Sequence, residues 1–234
     1  MTHDRFYWLE MPSEQQQERP TVVATRDGQA IEIVESQPSK LSILLNDGEG
    51  TFQAAVDYGA GNGPNCVCAC DLDGDEDNDL TVVNESGSVS ILLNNGDGTF
   101  QDGVDYNIQS ISVYGADLDG DNDIDLDATA MHGDAVGILL NNGNGTFQTA
   151  VYYTCGDYPN SVFAIDLDGD SDIDLAVPNA FSGNVSVLIN NGDGTFQAAD
   201  NILQDNSLSG ADSGGLAISD FNSDGNLDFV SARY

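Results

Sequence analysis

The sequence predicts an all-β protein, a β-propeller built of four-stranded blades. Three observations carry this. Two phrases recur and alternate along the 234 residues. The stretches between them are short and rich in β-branched residues. The 26 glycines gather in turn-forming clusters, and no long helical period runs through the chain. The first phrase is LLNDGEGTFQ (44–53), LLNNGDGTFQ (92–101), LLNNGNGTFQ (139–148) and LINNGDGTFQ (188–197), with starts 48, 47 and 49 residues apart. The second is DLDGDEDNDL (71–80), DLDGDNDIDL (117–126), DLDGDSDIDL (166–175) and DFNSDGNLDF (220–229), at spacings of 46, 49 and 54. Two landmarks alternating in this way define one unit, and four strands in about 40–50 residues is the size of a propeller blade. A tandem array of separate mini-domains is disfavoured, because one sheet of this size cannot bury both its faces alone. A calcium-binding β-helix would show a period of about nine residues, which the sequence lacks.

Each unit reads as four strands in order. Strand one precedes the acidic run: Val162-Phe163-Ala164-Ile165, with Val67, Val113 and Leu216 in the place of Val162. Strand two follows it, as in Leu80–Val83 and Leu175–Val177. Strand three is VSILL, VGILL or VSVLI. Strand four is T-F-Q-x-x-V-x-Y, with Phe52, Val56 and Tyr58 matched by Phe100, Val104 and Tyr106, and by Phe147, Val151 and Tyr153. The fourth copy has Asp200 and Ile202 in place of Val and Tyr. Between strands three and four lies N-x-G-x-G, whose residues supply positive φ in a tight hairpin.

The units are unequal at both ends. Val22, Ala24, Arg26 and Ala30 stand where the fourth unit has Asp166, Asp168, Asp170 and Asp174, so the first keeps its strands and lacks the acidic loop. The last unit stops after its second strand, at Tyr234. The expected organisation is a polar segment over 1–20 followed by one repeat domain over 21–234. Its blades fall at about 21–60, 61–108, 109–156 and 157–204, with a half blade at 205–234. Four and a half blades make a partial or small ring.

Charge narrows the function. The chain has 40 acidic residues against 5 basic ones, a net charge of −35. Phosphate recognition needs a basic face, so nucleic acid is excluded as a partner, and an anionic membrane surface is disfavoured. No stretch approaches the roughly 20 apolar residues of a spanning helix, so no membrane insertion is expected. The first 20 residues lack the basic start and apolar run of a signal peptide. Such charge raises the question of disorder, but 40% of residues are hydrophobic and fall in regular runs.

The acidic loops suggest a cation. In Asp166-Leu167-Asp168-Gly169-Asp170-Ser171-Asp172-Ile173-Asp174, carboxylates occupy positions 1, 3, 5, 7 and 9. Like charges packed so closely are unfavourable unless a cation offsets them. Calcium takes six to eight oxygens from carboxylates and carbonyls. Positions 1, 3, 5 and 9 are expected to offer side-chain oxygens, and position 7 its backbone carbonyl, as at the start of an EF-hand loop. A helical EF-hand is excluded, since its Glu at position 12 would be Val82, Ala128, Val177 or Ser231. Magnesium favours fewer protein ligands, and zinc lacks His or Cys in the loops. Up to four Ca2+ are expected. Position 6 should sit in the left-handed region, where Gly225 and Asn122 cost least and Glu76 and Ser171 carry strain.

Other residues read more simply. Cys66, Cys68 and Cys70 alternate along one strand and so share a face. They are read as small core fillers rather than a soft-metal site. Cysteine usage, with Cys155 the fourth, leaves the redox compartment open. Asn84, Asn144 and Asn184 begin sequons, that of Asn144 coinciding with the hairpin signature. His3 and His132 have no accompanying nucleophile motif, so no catalytic residue is assigned and no enzyme activity is expected.

With these residues in view, D-x-D-G-D-x-x-x-D-L followed by a strand and then L-L-N-N-G-D-G-T-F resembles the FG-GAP (VCBS-type) repeat over about residues 21–234. That repeat is found in integrin α-subunit propellers and in many bacterial surface and secreted proteins. The resemblance implies a calcium-stabilised propeller, usually of seven blades, with the ions on the face opposite most ligand sites. It implies adhesion or binding more often than catalysis. Carried over by position, the metal ligands would be Asp71, Asp73, Asp75, Asp77 and Asp79; Asp117, Asp119, Asp121, Asp123 and Asp125; Asp166, Asp168, Asp170, Asp172 and Asp174; and Asp220, Asn222, Asp224, Asn226 and Asp228.

Four and a half blades fall short of seven. The chain is then a piece of a longer propeller, a five-bladed ring closed by residues 5–11 (RFYWLEM), or an open arc that closes as a homo-oligomer. The expected function is a calcium-binding interaction or adhesion module, extracellular or at the cell surface. The connections Asn84–Ser88, Met131–Ala135 and Ala180–Asn184 vary between units and would present a protein- or glycan-binding face. The alternatives are a self-assembling structural surface protein and a non-catalytic appendage of a secreted enzyme.

Overall fold

The computed structural model describes residues 20–26, 29–34, 40–130, 133–202 and 213–233, with side chains over 40–130, 133–202 and 216–230. The proposed closing strand 5–11, His3, Met131, His132 and residues 205–212 lie outside these. The described residues form eighteen strands and no helix. Within the second, third and fourth repeats, strands join in chain order into four-stranded antiparallel sheets. The first sheet is β5 (Pro64–Cys70), β6 (Asp79–Asn84), β7 (Ser88–Leu92) and β8 (Val104–Asn107). The next is β9 (Ser112–Ala116), β10 (Asp125–Ala130), β11 (Ala135–Leu139) and β12 (Val151–Thr154). The third is β13 (Phe163–Ile165), β14 (Asp174–Asn179), β15 (Asn184–Leu188) and β16 (Asp200–Ile202). This meander is the propeller-blade pattern, and the chain is all-β.

The repeats at either end are smaller. The first forms two two-stranded sheets, β1 (Pro20–Arg26) with β2 (Gln29–Val34), and β3 (Lys40–Ile43) with β4 (Val56–Gly59). The last forms one pair, β17 (Ser213–Ser219) with β18 (Asp228–Arg233). The described residues fall into two compact units: β1–β8, and β9–β18 together with Leu72–Asp75.

Hydrophobic pattern explains where each strand sits. β6, β10 and β14 are buried at every position, as a strand paired on both sides and covered on both faces must be. The equivalent residues Val67, Val113, Val162 and Leu216 are all buried. In the first unit Leu41 and Ile43 of β3 pack with Val67, Leu80, Val82, Leu92 and Phe100. In the second, Val136 and Ile138 of β11 pack with Val162, Leu175, Val177, Leu188 and Phe196. A further cluster joins Ala176 and Val185 to Leu216 of β17.

The fourth strands β4, β8 and β12 are sheet edges with Val56, Val104 and Val151 more than half exposed. Their tyrosines turn inward instead. Tyr58 meets Phe100 edge-on at 5.6 Å, and Tyr153 meets Phe196 likewise at 5.4 Å. The phenylalanine of T-F-Q does not extend strand four. It closes the preceding hairpin as an isolated bridge, Asn46 to Phe52, Asn94 to Phe100, Asn141 to Phe147 and Asn190 to Phe196.

Candidate metal centre

Each acidic loop joins strand one to strand two and folds around its first aspartate. Asp117 accepts N–H bonds from Gly120 at 2.8 Å and Asn122 at 3.1 Å. Asp166 accepts from Gly169 at 2.7 Å and Ser171 at 3.1 Å. Asp220 accepts from Ser223 at 2.6 Å and Gly225 at 2.9 Å, and Asp71 accepts from Glu76 at 2.9 Å. Position 6 is left-handed throughout: Glu76 φ 72°, Asn122 φ 73°, Ser171 φ 81°, Gly225 φ 91°. Position 4 is left-handed too, and the last loop exchanges residue types there, with Ser223 at φ 62° where the others have glycine.

Position 9 belongs to strand two, and Asp79, Asp125 and Asp174 are buried there while Asp228 is half-buried. Asp125 accepts from the N–H of Leu118 at 2.9 Å and of Asn141 at 2.7 Å. Asp174 accepts from Leu167 at 2.9 Å and Asn190 at 2.8 Å. Asp79 accepts from Asn94 at 2.7 Å, and Asp228 from Phe221 at 3.0 Å. This carboxylate therefore ties the start of the acidic loop to the following hairpin.

The loops bring positions 1, 3 and 9 together. Asp71, Asp73 and Asp79 each place one carboxylate oxygen within 4.8 Å of the others, as do Asp117, Asp119 and Asp125, and Asp166, Asp168 and Asp174. Asp75, Asp121 and Asp170 at position 5 lie outside these trios, and Asp121 and Asp170 accept the N–H of position 7 at 2.9 Å. The position-7 carboxylates of Asp77, Asp123 and Asp172 also lie outside the trios. They lean instead over Gly96, Gly143 and Gly192 of the next hairpin, where a Cβ would come within 2.9, 2.4 and 2.6 Å of them. The fourth loop has Asn222 and Asn226, and contributes no such acidic trio among the described residues.

Electrostatics separates the two kinds of loop. Burial pushes the Asp125 carboxyl up to about 6, against the N–H bonds from Asn141 and Leu118 that favour its charge. Desolvation raises Asp119 and Asp168 too, with neighbouring aspartates adding to the effect. In the fourth loop, backbone N–H donors led by Gly225 lower Asp220, and the N–H of Asn226 lowers Asp224. Three converging carboxylates fit a hard divalent cation. Such an ion prefers oxygen ligands and restores the ionised form.

A family model described as FG-GAP-like repeat matches residues 71–128 and 117–177. Residues 71–177 carry FG-GAP-like repeats. Within them lie the three acidic trios and two of the N-x-G hairpins described above. Among curated protein sequences, none matches this chain. Among solved structures, an Agrocybe aegerita lectin described as specifically recognising non-reducing terminal N-acetylglucosamine aligns with TM-score 0.60 and 23% identity, over 93% of this chain. This chain spans 60% of that structure's length, and the likeness is one of fold. The Vibrio cholerae biofilm matrix protein Bap1 aligns at TM-score 0.47 and 15% identity, over 92% of this chain and 34% of its own. A Photorhabdus luminescens Tc holotoxin pore structure aligns at 0.49 and 19%, over 94% and 11%.

The FG-GAP-like repeats also settle residues that sequence motifs left open. Asn84 and Asn184 are buried, so these sequons are unavailable to glycosylation. Asn144 is exposed, and its side chain accepts from the N–H and hydroxyl of Thr146 within the hairpin. Cys68 and Cys155 are buried, and Cys66 and Cys70 half-buried. A hydrogen bond with Cys68 and burial raise the Cys70 thiol, and burial pushes Cys155 up to about 11, which keeps both protonated.

The repeats carry a signal that motif reading passed over. Asn141 Nδ2 donates to Leu72 O at 2.8 Å and Ile124 O at 2.9 Å. Asn190 Nδ2 donates to Leu118 O at 2.7 Å and Ile173 O at 2.9 Å. The first asparagine of N-N-G thus reaches its own acidic loop and the loop of the preceding repeat.

Proposed function

We propose that this protein is a calcium-stabilised interaction module rather than an enzyme. In this reading the acidic loops of the FG-GAP-like repeats hold calcium, and the turns at the opposite ends of the strands recognise a partner. The observation that supports it is the repeated convergence of positions 1, 3 and 9 within 4.8 Å. Asp117, Asp119 and Asp125 would hold one ion and Asp166, Asp168 and Asp174 another. Asp71, Asp73 and Asp79 would hold a third, with Asp220, Asp224 and Asp228 offering a weaker fourth site. The ion would bridge a turn that leaves strand one to a carboxylate at the start of strand two, stiffening the blade.

Sites of this kind suit an extracellular or cell-surface setting. Extracellular calcium modules work at about 10⁻⁴–10⁻³ M, so three converging carboxylates suffice there. The partner is a protein or a glycan. Melting the full chain in chelator and in millimolar calcium tests the proposal. At about one to ten times a dissociation constant in that range, millimolar calcium should add roughly 0.4–1.4 kcal/mol per ion. Superimposable melting curves would remove the calcium role.

A self-assembling surface protein is the second reading. It is favoured by the exposed Val56, Val104 and Val151 on sheet-edge strands, which offer unpaired backbone beside apolar side chains. Growth in particle size with concentration, in calcium, would select it.

A further inference from the structure

In the second unit, Tyr158 and Phe181 stack with ring centroids 4.2 Å apart and planes inclined by 21°. Tyr158 lies in the connection from β12 to β13, and Phe181 in the turn from β14 to β15. This turn is at the end of β14 away from the acidic loop. We propose that the pair is a platform for the apolar face of a neutral hexopyranoside, with Asp157 beside it to accept sugar hydroxyls. The inference rests on reading the turns as the recognition face and names the ligand class for that face.

Phe181 is 54% exposed although one side of its ring is covered by Tyr158, so its outer face is open. Its loop is built to hold it there. Ala180 N–H donates to Tyr158 O at 2.8 Å, and Phe181 N–H to Asp157 O at 3.1 Å. Asp157 N–H donates to Ser182 Oγ at 3.0 Å. Tyr158 N–H donates to Asp134 Oδ1 at 3.0 Å, which pins the tyrosine to the turn between β10 and β11.

The corresponding stretch of the first unit shows what has changed. GNGPN (61–65) matches GDYPN (156–160), so Tyr158 replaces Gly63. Both positions are left-handed, Gly63 at φ 73° and Tyr158 at φ 64°. A tyrosine there is strained, yet this one is only half-buried and adds little to the core. The turn 180–183 is also one residue longer than 85–87, which makes room for Phe181. Strain and an inserted aromatic at one place are what a ligand platform requires.

Sugar rings present C–H groups on one face and hydroxyls at the rim, matching an aromatic face beside a carboxylate. The exposed Asp157 and the net charge of −35 select neutral over anionic saccharides.

The test is a panel of immobilised neutral, sulfated and sialylated saccharides, probed with the full chain in millimolar calcium. Wild type should retain neutral saccharides and pass over the anionic ones. Phe181→Ala should weaken retention at least tenfold with an unchanged melting curve. Tyr158→Gly, which relieves the backbone, should weaken it similarly while melting no earlier. Equal retention by Phe181→Ala and wild type overturns the platform. If that binding is instead lost in Glu85→Ala, in the Asn84–Ser88 turn, recognition by the turns survives at another repeat while the platform falls. No neutral saccharide retained by wild type also overturns the platform, and a calcium-dependent rise in melting temperature in the same sample would leave the calcium module standing.

Discussion

Asn190 donates from its side-chain amide to the carbonyl of Leu118, 2.7 Å away and 72 residues earlier in the chain. The same amide donates to Ile173 O, and its oxygen accepts the N–H of Gly192 at 3.0 Å. One buried side chain therefore fixes its own hairpin, the acidic loop of its repeat and the acidic loop of the repeat before.

Replacing Asn190 with alanine strands these groups in a buried site. At about 1 kcal/mol or more for each polar group left unsatisfied, Asn190→Ala should lower stability by about 3 kcal/mol. Denaturant unfolding in calcium checks this. Asn191→Ala, one residue along, should cost far less, because among the described residues that exposed side chain bonds to Thr195 Oγ1 alone, at 3.0 Å.

Asp125 should make stability depend on pH, in a direction that bound calcium would change. Burial raises its folded pKa to about 6, above the unfolded value of about 3.9. The folded state then binds this proton more tightly than the unfolded state. The stabilisation is fully present below the unfolded value and is lost as pH rises through about 6. In chelator, the Asp125 carboxyl should titrate by NMR near 6, and stability should fall from pH 4 to pH 7. In calcium the titration should move well below its ordinary value, and stability should hold nearly level from pH 7 to pH 4 and fall only below that.

Ser171 holds φ 81° at position 6 of its loop, where Gly225 stands in the last repeat. Ser171→Gly should therefore raise the melting temperature in chelator by an amount equivalent to about 0.5–1 kcal/mol, the left-handed penalty less the added chain entropy of glycine. Asn122→Gly should change little, since asparagine tolerates that region.

Much of this architecture was legible in the sequence. The alternating phrases locate the acidic loops and hairpins, and the buried Val67, Val113, Val162 and Leu216 lie where the repeat alignment puts them. The left-handed position 6 followed from residue types. The roles of the five aspartates were legible only in part. The loop pattern sets position 7 apart as a backbone-carbonyl donor, but only the fold shows that Asp166, Asp168 and Asp174 converge without Asp170, and that the Asp172 carboxylate leans over Gly192. The role of Asn190 was hidden because N-N-G reads locally as turn chemistry, whereas its partner Leu118 lies in another repeat. The Tyr158–Phe181 stack was hidden for the same reason, since its two rings come from different connections. Phe52 and its equivalents read as strand residues because aromatics favour strands, but the hairpin places them at its closing bridge.

Equilibrium dialysis of the full chain against saturating calcium measures the binding itself. At least three ions should be retained per chain, and one fewer when Asp168 is replaced by alanine, since Asp166 and Asp174 then lose their third partner. A chain that remains folded and retains no calcium would contradict it.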